Sequence, residues 1–392
     1  MKQNNLTNKF HNVINAHYLI FIHRIFIDEK VKKGGFDRII DIFKQSNIDV
    51  QLIESALYGR RCRVQSTCFQ VSQSQKKKCI NFVTPSAIFS RIVEVLIAII
   101  LAKKYKQNLV SAIFGVNPIN FITGYIWKIV YRSKAWMIFH AIDYSDKRFS
   151  NKLLNLLYKR MYLFSLKRAD VVFCVTQRML DRFIEMVPNG NYLYLPNNVN
   201  IEQVKKIKLK QVHKRDKFIV GCVSYIYSGF DWQAIVDASA LLKDLEVEFW
   251  IVGDGPELNK FKNTVCLNGL DEIYRFFGHL EYEESLKKIA SFNLGIAIYN
   301  GSASFNFYGD SIKIREYAAF GMPILCNPLT STANEGEAYG ACLIVNNPQE
   351  IADSIKLLLV KTDLRDRMSA SATAWSQKYD NRRKLQEYGF II

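Results

Sequence analysis

The sequence predicts an α/β protein built as two doubly wound domains, each a mostly parallel sheet with helices on both faces. Short β-rich apolar runs alternate with helix-period segments along most of the chain. The length of 392 residues exceeds what one ordinary core fills. A polar, Lys-rich stretch at 200–216 has no core-like pattern and marks a boundary. The domains are therefore placed at 1–200 and 201–392, and the last helix could pack back on the first domain.

In the first domain, residues 18–25 (YLIFIHRI) read as a strand, DEKVKKGG as a loop, and Phe36, Ile39, Ile40, Ile42 and Phe43 as one face of a helix. Residues 48–53 are a second strand. The polar segment 58–75 reads as a mobile basic loop running into Lys76, Lys77 and Lys78. Residues 87–102 (AIFSRIVEVLIAIILA) are the most apolar run, but 16 residues fall short of the ~20 needed to span a bilayer. Arg91 and Glu94 also lie on one helical face, so a buried core helix is expected. There follow a strand at 109–114, a Gly-Val-Asn-Pro turn, a helix at 119–131, a strand at 135–140, a long helix at 151–168, a strand at 170–175 and a short helix to Met186.

The second domain starts afresh with a strand at 218–223, a helix at 232–242, a strand at 247–252 stopping at Gly253, and a strand at 273–277. A helix at 283–290, a strand at 294–298, a helix at 311–320, a strand at 323–326 and a helix at 348–359 complete it. Ligands of such sheets bind at the carboxyl ends of the strands, so a cleft between two facing domains is the expected active site.

Charge divides the chain sharply. Residues 1–200 carry 30 Lys and Arg against 12 Asp and Glu, a net +18, whereas residues 201–392 are near neutral at −1. Such a first half suits polyanions or an anionic membrane surface. No zinc finger, helix-turn-helix or RNA-binding signature appears, so nucleic acid is not an expected partner. In the helix at 151–168, Leu153, Leu154, Leu157, Met161 and Phe164 lie near one face while Lys159, Arg160, Lys167 and Arg168 cluster elsewhere, a pattern able to rest on an anionic bilayer. The eight cysteines show no Cys-x-x-Cys pair or metal-ligand spacing. Reduced, mostly buried thiols and no metal are expected. The polar start MKQNNLTNKF lacks a secretory block, which points to a cytoplasmic protein associated peripherally with the inner face of the cell membrane.

Three segments carry chemistry: Leu195-Pro196-Asn197-Asn198-Val199-Asn200, then Ile251-Val252-Gly253-Asp254-Gly255-Pro256-Glu257, then 311–324 (SIKIREYAAFGMPI). Asp310 or Ser311 can cap a helix whose first turn offers unpaired N–H groups to an anion, and Lys313 adds a full charge there. Glu316, one turn further in, can accept two hydrogen bonds from a vicinal diol such as a ribose. In order and spacing these segments resemble the GT-B glycosyltransferases of the retaining family 4 type. That family has a Pro-Asn-Gly-Val-Asp-like linker entry, a Gly-x-Gly-Pro turn and a Lys-x-x-Glu-Tyr-x-Ala-x-Gly-x-Pro helix. The resemblance implies two facing Rossmann-like domains, a UDP- or GDP-linked sugar donor in the second, and a metal-independent reaction in which the leaving phosphate helps deprotonate the acceptor hydroxyl. It implies the ribose role for Glu316 and backbone contacts to the base around Phe277-Gly278-His279. An acid eight positions before the ribose Glu is replaced here by Tyr308. The Arg/Lys pair after the first strand is replaced by residues 224–231 (SYIYSGFD). Phosphate charge then falls to Lys313, the helix N-terminus and Arg315.

In the first half, Gly34 and Gly35 open a helix where backbone can approach a ligand. His140 and Asp143 lie at a strand's carboxyl end, where they could meet a sugar hydroxyl or the acceptor. The leading reading is a glycosyltransferase moving a sugar to a lipid-linked or saccharide acceptor in cell-surface polysaccharide biosynthesis. A non-catalytic relative binding membrane or polyanion through the basic half, and a nucleotide-sugar epimerase on the same fold, are the alternatives.

Overall fold

A computed structural model describes residues 16–391 apart from 28–29, 33, 57–62, 71–74, 84–86, 104–108, 198, 211–216 and 302–303. The chain divides into two compact units, Met1–Pro196 with Asn381–Ile392, and Asn197–Asp380. The division falls a few residues before the Lys-rich stretch, and the last twelve residues belong to the first unit.

The strands of the first unit are β1 (His17–Ile27), β2 (Lys30–Lys32), β3 (Asp49–Ala56), β4 (Arg63–Gln70), β5 (Gln75–Val83), β6 (Val110–Val116), β7 (Trp136–Ala141), β8 (Val171–Cys174) and β9 (Tyr192–Tyr194). They form one sheet in the order β5-β4-β3-β1-β6-β7-β8-β9, with the short β2 antiparallel to β1. From β3 to β9 across this order the strands run parallel. The helices between them are α1 (Gly35–Gln45), α2 (Ala87–Ala102), α3 (Pro118–Val130), α4 (Lys152–Arg168) and α5 (Gln177–Met186). Helix α1 buries Phe36, Ile39, Ile40, Ile42 and Phe43, as its apolar spacing predicts. They join Tyr18, Phe114, Phe173, Leu385 and Phe390 in one core.

Three sequence expectations need correction. The basic loop at 58–75 gives way to β4 and β5, antiparallel strands that extend the edge of β3; the remainder of that segment lies mostly outside the described residues. Polar groups pair across this edge, Thr67 Oγ1 donating to Glu54 at 3.1 Å and Gln51 Nε2 meeting Cys68 Sγ at 2.6 Å. A strand with a polar inner face has no apolar alternation to betray it. The 87–102 segment is the helix α2, but not a wholly buried one. It packs on β3 and β4 through one face, with Glu94, Ala98, Leu101 and Ala102 buried, while Phe89, Ile92, Leu96 and Ile100 are exposed by 48–61%. Last, the Lys-rich stretch starts with a helix, α6 (Ile201–Lys210), because Val204 and Ile207, three apart, reach the core of the second unit.

Helix α2 packs on α3, and α3 packs on α4. The outward sides of α3 and α4 expose Ile126, Ile129, Val130, Leu153, Leu154, Leu156 and Leu157. Among the described residues, no helix is long and apolar enough to cross a membrane.

The strands of the second unit are β10 (Phe218–Val223), β11 (Val247–Val252), β12 (Tyr274–Gly278), β13 (Leu294–Ala297), β14 (Ile324–Cys326) and β15 (Cys342–Ile344). They form a six-stranded parallel sheet ordered β12-β11-β10-β13-β14-β15. Helices α7 (Trp232–Ala240), α8 (Leu258–Leu267), α9 (Tyr282–Ile289) and α10 (Ile312–Ala319) connect its successive strands. The order in which strands are added reverses between β10 and β13, which pair through Val220–Leu294 and Gly221–Gly295. That reversal is the topological switch point, where connections leave on opposite faces and open a crevice at the carboxyl ends. Of the described cysteines, Cys68, Cys174, Cys222, Cys326 and Cys342 are buried, Cys266 is exposed, and all six are free thiols.

Candidate functional site

The switch point of the second unit gathers the sequence-predicted residues. Ser224 follows β10 directly and Tyr299 follows β13 by two residues. Helix α10 brings Lys313 Nζ to 3.1 Å from Ser224 Oγ and 3.4 Å from Tyr299 Oη. The ammonium also lies 5.3 Å from the centre of the Tyr299 ring. Its hydrogen-bond partners are hydroxyls, and among the described residues no carboxylate stands within salt-bridge distance. Burial alone would lower its pKa, but Tyr299, Cys222 and Tyr227 hold it above the ordinary lysine value, so the group is cationic at neutral pH. Ser311 takes the N-cap position without a side-chain cap, its hydroxyl engaging Tyr299 Oη at 2.9 Å instead. The first turn of α10 therefore keeps donors for an anion. Glu316, one turn on, is 5% exposed.

Asp310 and Arg315 do not play the parts expected of them. The Asp310 carboxylate turns inward, accepting from the Asn197 N–H at 2.6 Å, Thr332 Oγ1 at 2.7 Å and Arg315 Nε at 2.8 Å. Burial raises its pKa above the usual carboxylate value, against the opposing pull of Arg315 and these donors. Arg315 also donates to Glu335 at 3.1 Å and lies over Trp375 and Tyr379. The pair braces the segment entering α10, and Arg315 is committed to it rather than to a phosphate.

Gly253 and Gly255 serve the packing of two loops. A Cβ at Gly253, whose φ is +137°, would lie 1.8 Å from the Ser224 carbonyl oxygen, and one at Gly255 would lie 2.2 Å from that of Ile226. The close approach holds the turn after β11 against the segment after β10, with Ser224 N–H donating to Val252 and Ile226 N–H to Asp254. These glycines shape the rim of the switch point. His279, at the end of β12, is exposed.

In the first unit, His140 is 2% exposed and packs between Phe36 and Phe173, with ring centroids 4.9 and 6.0 Å away. Among the described residues its Nδ1 is buried without a hydrogen-bond partner, as is Oδ1 of the neighbouring Asn117. Burial drives the imidazole pKa down to about 3, so it is neutral under ordinary conditions. Phe36 follows Gly34-Gly35, so the structure brings that turn and His140 together. A Cβ at Gly34 would meet nothing within 4 Å, so packing does not require glycine there. Asp143 stands apart, with no hydrogen bond to His140. Its carbonyl accepts from Tyr158 and Tyr162, and burial raises its carboxyl pKa while Arg148 opposes the rise.

Sequence reasoning missed a polar cluster at the carboxyl ends of β1 and β3. His23 contacts Glu94 through Nε2 and Asn120 through Nδ1 at 2.9 Å, and Arg91 pairs with the same Glu94. Arg24 donates twice to Asp37 at 2.6 Å and once to Glu54 at 3.1 Å. The available signal was charge inside apolar strand runs, His23-Arg24 in β1 and Glu54 in β3, which need partners when buried.

Residues 217–361 match the family model described as glycosyl transferases group 1. No curated protein matches the chain in sequence. Among solved structures, Anabaena HepE in complex with UDP-glucose aligns with a TM-score of 0.66 at 16% identity, over 95% of this chain and 98% of its own. Sucrose-phosphate synthase from Thermosynechococcus elongatus gives 0.70 at 11% identity, over 95% and 96%. WaaG, a glycosyltransferase involved in lipopolysaccharide biosynthesis, gives 0.65 at 12% identity, over 95% and 98%. Two doubly wound units, with a cation and a helix N-terminus at the switch point of the second, give the chain the GT-B fold of these structures. More particularly, the second unit carries a glycosyl transferases group 1 domain.

Proposed function

We propose that this glycosyltransferase takes its sugar from a UDP- or GDP-linked donor held in the second unit and passes it to a lipid-linked or saccharide acceptor, with retention of configuration and without a metal. The observation that carries this reading is Lys313, a cation at the switch point whose hydrogen-bond partners are hydroxyls and not carboxylates. A diphosphate across Lys313 and the first turn of α10 would supply the missing anion. As the glycosidic bond breaks, charge develops on the leaving phosphate, and preorganised N–H groups with the ammonium stabilise it there. That phosphate would then accept the proton of the acceptor hydroxyl. Glu316 is assigned to the ribose, with Gly278 and His279 toward the base. Neutral His140 is assigned a hydrogen bond to a sugar hydroxyl beside Gly34-Gly35, with Asp143 toward the acceptor. The UDP-glucose complex of HepE favours a nucleotide-sugar donor.

A membrane-associated role, in the assembly of cell-surface polysaccharide at the cytoplasmic side, is favoured by α2, α3 and α4. Their only carboxylate, Glu94, is buried against Arg91 and His23. The exposed apolar residues of these helices sit among Lys128, Lys152, Lys159, Arg160, Lys167 and Arg168. A groove of about 450 Å³ beside α3 and α4, lined by Lys128, Lys167 and Arg168 against the single carboxylate Asp170, has the net positive charge that an anionic headgroup would meet. The likeness to WaaG accords with this setting. The donor reading is tested by melting the full chain with UDP and with GDP, and by screening nucleotide sugars for acceptor-dependent release of nucleoside diphosphate. Stabilisation by one nucleotide and release with one donor are expected. No stabilisation and no release would refute an enzyme in favour of a non-catalytic relative.

A further inference from the structure

Two loops at the switch point carry an aromatic array whose ring faces the donor site described above does not use. Tyr225 and Tyr227, after β10, stack with ring centroids 5.9 Å apart and planes at 27°. Tyr227 in turn lies parallel to Phe305, in the segment after β13, at 6.4 Å and 10°. Tyr227 Oη donates to Asn306 Oδ1 at 3.0 Å, and Asn306 Nδ2 donates to the Gly229 carbonyl at 3.4 Å. Asn300 Nδ2 donates to the Ser228 carbonyl at 2.6 Å, which further fastens the loops together. Despite these ties, Tyr225 is 55% exposed. Tyr227 and Phe305, partly buried behind it, hold the Tyr225 ring in a fixed orientation at the surface.

Its position selects what it would hold. A nucleotide sugar is a linear molecule, with nucleoside, diphosphate and sugar in order. With the diphosphate at Lys313 in the first turn of α10 and the ribose at Glu316 one turn deeper, the sugar must lie beyond the helix N-terminus. There the chain is the segment that leads into α10, carrying Phe305 and Asn306, joined to the Tyr225–Gly229 loop.

We infer that Tyr225, Tyr227 and Phe305 form a sugar-binding wall, in which an aromatic face stacks on the C–H face of the donor's pyranose ring. This rests on the donor-site reading and deepens it. The wall would replace a charged contact with an apolar one at the sugar, and would select for rings that present a flat C–H face.

The test is calorimetric titration of the full chain with UDP, UDP-glucose, GDP and GDP-mannose, for the wild type and for Tyr225→Ala, Tyr227→Ala and Tyr227→Phe. The wild type should bind one nucleotide sugar more tightly than its parent nucleotide. Both Ala variants should weaken that nucleotide sugar about fivefold or more, while the parent nucleotide stays within about twofold. Tyr227→Phe, which keeps the ring and loses the Asn306 bond, should keep the preference. Thermal melting checks that each variant is folded, and exposed Tyr225 supplies a variant with little core to disturb. Equal weakening of nucleotide and nucleotide sugar would put the nucleoside on the wall and overturn the assignment. An unchanged preference in both Ala variants, or no preference in the wild type, would overturn it too. Binding of none of the four by the wild type would defeat the donor-site reading itself.

Discussion

Replacing His140 by Phe should make the first unit less sensitive to acid. In the native chain the ring is enclosed by Phe36 and Phe173 and its pKa is pushed down to about 3 by burial. In the unfolded chain the imidazole titrates near ~6.5. The native state therefore binds fewer protons than the unfolded state between those values. Stability from this group is complete above ~6.5 and is lost as pH falls toward 3. From pH 7.5 to 5.0 the loss comes to about 2 kcal/mol. That figure changes little if the native pKa is a unit higher or lower, because pH 5.0 stays above it. The His140→Phe substitution would remove this part of the pH slope whatever it does to stability at pH 7.5, since Nδ1 has no hydrogen bond to lose. Guanidinium unfolding of both proteins at the two pH values, followed by hydrogen exchange at β7 and β8, reads the difference. The same loss in the wild type and in the variant would show that the ring is hydrated or paired, and would refute the argument. A ring that stays neutral through the working pH range keeps one N–H donor and one nitrogen acceptor and adds no positive charge.

The other tests bear on the donor and on the membrane. Lys313→Ala and Glu316→Ala should each lower kcat/KM at least tenfold, the loss of a charge-assisted bond worth ~1.5–3 kcal/mol, with melting of the first unit unchanged; full turnover in both would remove the donor-site assignment. Activity should survive EDTA, and abolition with rescue by Mg²⁺ or Mn²⁺ would reveal a metal requirement. The full chain should sediment with anionic vesicles at low salt, be partly released at high salt and bind neutral vesicles weakly, at roughly 1 kcal/mol for each Lys or Arg that reaches the surface. Ile92→Gln, Leu96→Gln, Leu153→Gln and Leu157→Gln together should lower the salt-resistant fraction, and equal binding to neutral and anionic vesicles would refute the electrostatic part.

The sequence was most legible where local pattern and tertiary demand coincide. Parallel strands buried on both faces appear as apolar runs, so β1, β6, β7, β10, β11 and β13 could be placed within a few residues. Lys313 and Glu316 could be assigned to one helix because their spacing is local, and the Gly253-x-Gly255 turn was visible as a chain break. Tertiary structure decided what those residues touch. Asp310 looked like a cap, yet its carboxylate is taken by Arg315, Thr332 and the Asn197 N–H, the last of these 113 positions away in sequence. The two glycines were visible as a turn, and only the tertiary structure shows that the carbonyls of Ser224 and Ile226 exclude a side chain there. β4 was hidden because its inner polar groups are satisfied by β3, and the half-exposed state of α2 was hidden because an all-round apolar helix does not show which face meets the sheet. Periodicity fixes what a segment can become from its own residues, whereas a partner a hundred residues away leaves no periodic trace. The neutral wall of Tyr225, Tyr227 and Phe305 and the isolated charge of Lys313 therefore emerge only when the switch point closes the chain upon itself.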